Sequence, residues 1–386
     1  MTLIDTREAL AEYCDRARTA EAVAVDTEFV WERTYYPALG LVQLGLGGED
    51  IALVDTVELG DLDPLRDLLE DGAVVKVLHD AAQDLQILAR ATGATPTNVF
   101  DTQRVAGLVG LTGTASLLDL VDWATGVRLD KGETRSNWVN RPLRDAQLHY
   151  AANDVRYLLD VYHKLRAEVD RLGRGEWVEQ EMDMFEDAEL YAEADPMDAV
   201  DRVKAKGIGR FSGRQRVVLR HVSAWREREA RALDRTRRMV LPDEALAAIA
   251  DYGPNDEADL AHIRLSDKQI RRFGEGILQA VVAGKADEPE PVQRRGRPGP
   301  EDMRLAARLL VAQGFVAGRC EREGVDSVLV ATKSVLTDLV EAGPEAVVEA
   351  MPGWRYEFVG RDLEALLRGD LAVGLDGPDG WPIAAA

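Results

Sequence analysis

Ala22-Val23-Ala24-Val25-Asp26-Thr27-Glu28-Phe29 is the stretch whose reading decides the fold. Its alternation is that of a β-strand with Val23, Val25, Thr27 and Phe29 on one face and Ala22, Ala24, Asp26 and Glu28 on the other. Two carboxylates therefore share a face. Inside an apolar strand such a pair is costly to hold ionised unless a cation neutralises it or one acid takes a proton. The plainer alternative is a strand end carrying two solvated acids.

Working outward, Leu39–Leu46, Ile51–Val54 and Val74–Leu78 are short runs rich in Val, Leu and Ile, and predict further strands. Helical signals come between and after them. Asp63-Pro64 reads as an N-cap followed by proline in the first turn, and Ser116 as the cap of a helix over Leu117–Trp123. Leu148–Tyr162 carries apolar residues at 148, 151, 152, 155, 158, 159 and 162, one stripe at helical spacing. Tyr150 and Asp154, four apart, stack on one face beside that stripe, either at the border of a cleft or as an ordinary boundary tyrosine next to a surface acid. Between strand and helix lies His79-Asp80-Ala81-Ala82-Gln83-Asp84-Leu85, where Asp84 falls near the first turn of the next helix. Taken alone, Asp84 is explained by the helix dipole and His79 by a structural hydrogen bond.

The chain's 386 residues exceed one compact core and fit two or three domains. No apolar run approaches the ~20 residues of a membrane-spanning helix, and no secretion signal opens the chain, so a cytoplasmic protein without membrane contact is expected. Cys14 and Cys320 alone make neither a disulfide framework nor a thiolate metal site. The α/β pattern runs over residues 1–175, an acidic connector over 176–201, and a helical segment over 202–285. A Pro/Gly-rich linker follows at 286–300, then a helical segment over 301–375 and a tail at 376–386. A net charge of −22 argues against a polyanionic partner unless charge is segregated. Segregation is visible: basic residues cluster from Arg202 to Arg238, and Arg235, Arg237 and Arg238 form the expected RNA-contact patch, with a merely solvated helix face as the alternative.

Asp-x-Glu on a strand, Asp84 after a later strand and Tyr-x-x-x-Asp on a closing helix resemble, in order and spacing, the three motifs of the DEDD exonucleases, in the branch with tyrosine in the third. Leu129-Asp130-Lys131-Gly132-Glu133-Thr134-Arg135-Ser136-Asn137-Trp138, Arg141-Pro142-Leu143 and Tyr150-Ala151-Ala152-Asn153-Asp154 resemble ribonuclease D specifically. Residues 202–285 are similar to an HRDC domain, and those after about 297 to a degenerate second copy. The resemblance implies an RNase H-like mixed sheet flanked by helices, followed by two all-α HRDC-like domains.

It also implies a 3′–5′ exoribonuclease using two divalent cations, Mg²⁺ or Mn²⁺, as suits an oxygen-only ligand set. Asp26, Glu28, Asp84 and Asp154 would be the ligands, and Tyr150 would orient the attacking water. Thr27, Phe29, His79, Lys131, Arg135 and Trp138 are candidate substrate contacts, with packing or loop structure as the alternative for each. RNA, tRNA precursors above all, is the implied partner of a monomer. The competing expectations are a 3′–5′ DNA exonuclease and a non-cutting RNA-binding scaffold. Two positions depart from the family pattern: Gly132 stands where serine is expected and Asn137 where aspartate is.

Overall fold

The computed structural model describes residues 1–129, 132, 136–263, 265–291, 299–377 and 380–384. It divides into two compact units that do not follow chain order: Met1–Phe29, Leu39–Tyr191 and Gly296–Ala386 form one, Val30–Ala38 and Ala192–Arg295 the other.

The first unit is built on six strands: β1 (Thr2–Ile4), β2 (Ala22–Val30), β3 (Ala38–Gly45), β4 (Ile51–Asp55), β5 (Val75–Leu78) and β6 (Val99–Asp101), in the order β1-β4-β3-β2-β5-β6. The sheet is mixed, since β3 and β4 run antiparallel while β1 with β4, β2 with β5 and β5 with β6 run parallel. Parallel strands buried on both faces need continuous apolar runs, and Ala22–Val25 and Ile51–Val54 are wholly buried. The β2–β5 register ends at Ala24 opposite Val77, and β5 meets β6 at Leu78 opposite Asp101. The acids of β2 thus lie just past the paired region, at the carboxyl ends of parallel strands.

Several local expectations change in detail. The helix at Asp63–Leu69 has Leu62 at its cap without a side-chain bond, because it is Asp61 that accepts the Asp63 N–H at 3.0 Å. Ser116 caps Leu117–Thr125 through a reciprocal box with Asp119. The single helix expected over Leu148–Tyr162 is two, Asp145–Arg156 and Leu158–Leu172, interrupted where Tyr157 takes φ −108°, ψ 0°. A periodic apolar stripe does not report such a break, since both helices pack on the same core.

The segment after residue 299 belongs to the first unit and packs on the helix Gly175–Met182. Trp177 stacks on Trp354 at 5.0 Å. The carboxylate of Glu181, 1% exposed, pairs with Arg104 and, at 2.6 Å, with Arg355, and accepts the indole N–H of Trp354 at 3.3 Å. The tail expected to lack structure instead forms a ribbon, β7 (Val373–Leu375) against β8 (Pro382–Ala384), so this segment is not purely helical. Gly318 of the helix Pro300–Glu323 makes room for it, as a side chain there would strike the backbone of Pro382.

The second unit packs the helices Gly213–Ala232, Asp243–Tyr252 and Asp267–Ala286 around Trp225, Leu246, Phe273 and Ile277. Ser212 with Gln215 and Ser266 with Gln269 close capping boxes on two of them. Of the expected linker, Glu290 already lies on the first helix, its N–H bonded to Gly213 at 3.3 Å and its carboxylate paired with Arg220, while 292–298 fall outside the described residues. The connection Val30–Ala38 also belongs here. Tyr35 offers its phenol to buried Glu227 while Asp234 accepts the N–H groups of Tyr35 and Tyr36 at 3.0 and 3.1 Å.

Removing one partner of a buried ion pair leaves the others desolvated without compensation. Glu181→Ala is therefore expected to lower unfolding free energy by about 3 kcal/mol, read from denaturant unfolding followed by tryptophan fluorescence. A loss below ~0.5 kcal/mol, the scale of a surface change, contradicts that picture.

Candidate active site

Four acids approach one another from three elements. Asp26 and Glu28 lie on β2 beyond its pairing with β5, Asp84 occupies the first turn of the helix Ala81–Thr92, and Asp154 lies in the last turns of Asp145–Arg156. Asp84 is aimed by its helix start, where Asp80 adopts the left-handed conformation (φ 57°). The buried carboxylate of Asp101 takes the N–H groups of Asp80 and Ala81 at 3.1 and 3.0 Å. The same carboxylate accepts from Gln103 and Arg104, so one acid caps two helices. Asp154 is brought in by close packing of small residues: a Cβ on Gly45 of β3 would lie 3.2 Å from the Val155 carbonyl and 3.4 Å from Ala24 Cβ.

The electrostatics show the convergence. Asp26 is held well above the usual carboxylate range by burial, then by the charges of Asp84, Asp154 and Glu28. Burial pushes Glu28 up to about 9, helped by Asp154 and Asp84. Burial raises Asp154 to about 7 and Asp84 to about 6, the latter restrained by the hydroxyl of Thr27. Tyr150 is raised by burial and then by Asp154, Glu28 and Asp26, and its phenol oxygen has no hydrogen-bond partner among the described residues. Among the described residues no three acid, histidine or cysteine side chains gather tightly enough to enclose one cation. The carboxylates face one another across a shared desolvated region, and the charges acting most strongly on Asp26 and Glu28 are all those of other carboxylates. A hard-oxygen donor set whose strongest charged neighbours among the described residues are other carboxylates fits divalent cations.

The other candidate contacts fall differently. Thr27 is buried and donates to Asp84, though strand alternation set it opposite Asp26; β2 has outrun its β5 pairing here, which leaves room for the Asp84 helix beside it. His79 lies 3.0 Å from the Thr102 hydroxyl, and burial lowers its pKa, as befits a neutral structural histidine. Trp138 is 1% exposed and packs at 6.2 Å from the Tyr150 ring, so it faces the core rather than a nucleotide. Phe29 is half-buried at the strand end. Lys131 and Arg135 lie outside the described residues. Asn137 keeps the acceptor that aspartate would supply, since its side-chain oxygen takes the N–H groups of Val139 and Asn140 at 3.1 and 3.2 Å.

Of the basic patch, Arg235 and Arg238 are exposed, but Arg237 grips Glu227 with two nitrogens, one at 2.7 Å, and lies over the Tyr35 ring. It is a partly exposed arginine held in an ion pair with a buried acid, unlike its two neighbours in the patch expected from the sequence.

Comparison with known proteins follows the same outline. A family model described as a 3′–5′ exonuclease matches residues 1–170, and one described as an HRDC domain matches residues 215–281. A ribonuclease D of Gluconacetobacter diazotrophicus is 38% identical over 380 residues, covering 97% of this chain and 95% of the relative. One of Desulfotalea psychrophila is 36% identical over 364 residues, covering 92% and 96%. The chain belongs to the ribonuclease D family. The crystal structure of Escherichia coli RNase D superposes with a TM-score of 0.80 at 30% identity, covering 95% of this chain and 98% of that one. This is a family of metal-dependent nucleases, and the mixed sheet followed by a helical HRDC domain is its architecture.

A raised carboxyl pKa has a definite consequence for stability. The folded state holds a proton on Asp154 that the unfolded chain releases above its ordinary 3.8, so this acid costs nothing below that pH and destabilises increasingly until its folded pKa of about 7 is passed. In a chelating buffer Asp154→Asn is expected to leave the melting temperature unchanged at pH 3.5 and to raise stability at pH 8 by on the order of 1 kcal/mol, after allowance for partial solvent screening. An equal effect at both pH values contradicts the assigned burial.

Proposed function

We propose that this chain removes nucleotides hydrolytically from the 3′ ends of RNA, with Asp26, Glu28, Asp84 and Asp154 holding a pair of Mg²⁺ or Mn²⁺ ions and Tyr150 orienting the water. The observation that carries the reading is the gathering of four like charges and a phenol at the carboxyl ends of β2 and β5, on a chain matched by a 3′–5′ exonuclease model over 1–170. Bound divalent cations supply a lowered pKa for the attacking water and charge stabilisation at the phosphate and the departing 3′ oxygen.

The chain's own residues do the rest. Asp26 is the most enclosed of the acids and feels the other three, which suits a ligand shared between ions. The Thr27 hydroxyl, by donating to Asp84, keeps that acid ionised and aimed. Tyr150 stays protonated at working pH, so it donates or accepts a hydrogen bond and positions water without serving as the base. Phe29, half-buried at the end of the acid-bearing strand, suits stacking on the terminal base. Structured RNA is the substrate class, in keeping with the structured RNA processing of the Escherichia coli RNase D, with tRNA precursors foremost and a monomer acting on them.

A 5′-labelled RNA with a 3′ extension, incubated with Mg²⁺ or Mn²⁺, is expected to give a ladder receding from the 3′ end. Asp26→Ala and Asp154→Ala are expected to abolish it while retaining the wild-type circular dichroism. Full shortening by either folded variant contradicts the assignment, and faster digestion of a matched DNA moves the reading to a DNA exonuclease. For binding, Arg235→Ala with Arg238→Ala is expected to lower the slope of log affinity against log salt by about 1.4 on single-stranded RNA. An unchanged slope removes these two arginines from the RNA contact.

A further inference from the structure

Gln43 lies within β3 with its side chain 0% exposed, and neither its amide nitrogen nor its carbonyl oxygen has a hydrogen-bond partner among the described residues. Burying such a group unpaired is costly, and most buried amides in folded proteins are bonded. Its neighbours Val42 and Leu44 are wholly buried too, so the strand would hold an apolar side chain here at no such cost.

The place of Gln43 in the sheet narrows what its amide serves. β2 and β3 are adjacent and joined only by residues 31–37, too short for the crossover that parallel neighbours need, so they run antiparallel. A Cβ built on Gly45 would lie 3.4 Å from Ala24 Cβ, which sets these two residues side by side on one face. Two residues back along β3 and two forward along β2, Gln43 therefore stands beside Asp26. Side-by-side residues of antiparallel strands have Cβ atoms roughly 5 Å apart, within reach of a glutamine amide. The face is the one on which the Asp154 helix lies, since the same Cβ on Gly45 would meet the Val155 carbonyl and Cβ at 3.2 and 3.3 Å.

Asp26 is the acid with most to gain from such a neighbour. It is deeply buried among three other carboxylates, and the hydrogen bond that counts most for it comes from the backbone of Thr27. Carboxylates that ligate a metal are in turn oriented by hydrogen bonds from groups behind them. We propose that Gln43 is a positioning residue for Asp26: its amide nitrogen donates to the Asp26 carboxylate and fixes the orientation in which it meets the cations, while its carbonyl oxygen accepts from water held there. An amide suits this place because it brings a donor without charge. A lysine would compete with the cations, and another acid would add to the repulsion. The inference rests on the reading of Asp26 as a cation ligand.

The test uses the full chain without RNA. Gln43→Met keeps the side chain's bulk and removes both polar ends. Wild type and variant are titrated with Mn²⁺ at pH 8 by electron paramagnetic resonance, and their melting temperatures are read in chelating buffer and in Mn²⁺. The variant is expected to bind Mn²⁺ about tenfold or more weakly, the scale on which such supporting groups act. Its melting temperature is expected to rise less on adding the same Mn²⁺, yet to stand at or above wild type in the chelating buffer, where the unpaired amide contributes nothing. Wild-type Mn²⁺ affinity in Gln43→Met overturns the proposal. So does a lower melting temperature in the chelating buffer, because the amide would then be bonded within the metal-free chain. Should Gln43→Met fail to fold, Gln43→Leu takes its place, and failure of both is that same contrary result. If the wild type itself takes up no Mn²⁺, the reading of the four acids as ligands falls, and this inference with it.

Discussion

Four carboxylates held in one poorly solvated region, with no lysine or arginine of the described residues among the charges that act most strongly on Asp26 and Glu28, form the constraint around which the first unit is arranged. Left to themselves such acids separate or take protons, and both tendencies are visible in their raised pKa values. The fold opposes separation by geometry. β5 and β6 end together at Leu78 and Asp101, Asp101 pins the start of the Asp84 helix, and the narrow contact of Gly45 with Val155 and Ala24 lets the Asp154 helix lie close to the sheet. The result is a region whose electrostatic deficit divalent cations relieve, and whose stability without them falls as pH rises.

Charge elsewhere serves cohesion as much as recognition. Glu181 and Glu227, each 1% exposed, gather arginines that a count of basic residues would assign to RNA. Arg237 is the clearest case, held between Glu227 and the ring of Tyr35. Tyr35 lies in the connection that leaves β2 a few residues beyond Glu28, so the chain passes directly from the acid-bearing strand into the helical unit's ion-pair network. Arg235 and Arg238, by contrast, are exposed.

What the sequence made legible follows from periodicity and from chemistry that is costly to hide. β2 spans the residues that its alternation marked, and the pairing of Asp26 with Glu28 was readable because acids in an apolar strand demand a reason. The break at Tyr157 was not readable, since both helices continue one apolar stripe. Thr27 bonding Asp84 escaped the alternation rule because β2 runs past its β5 pairing there. Asp101 was missed although Val99-Phe100-Asp101-Thr102 carries the pattern of a strand closing on a helix cap. Trp138 and Arg141 read as RNA contacts or family markers because composition cannot tell a polar loop that grips a ligand from one that braces a neighbouring side chain. The β7–β8 ribbon was hidden by the Gly and Pro content that suggests a loose tail.

The account depends on the acids binding divalent cations together. Titration of the metal-free full chain with Mn²⁺, counted by electron paramagnetic resonance at pH 8, measures this without reference to any substrate. It should show two ions bound per chain, with binding weakened steeply on lowering the pH through the raised pKa values and lost in Asp26→Asn. No bound Mn²⁺, or stoichiometric binding that survives Asp26→Asn unchanged, would contradict it.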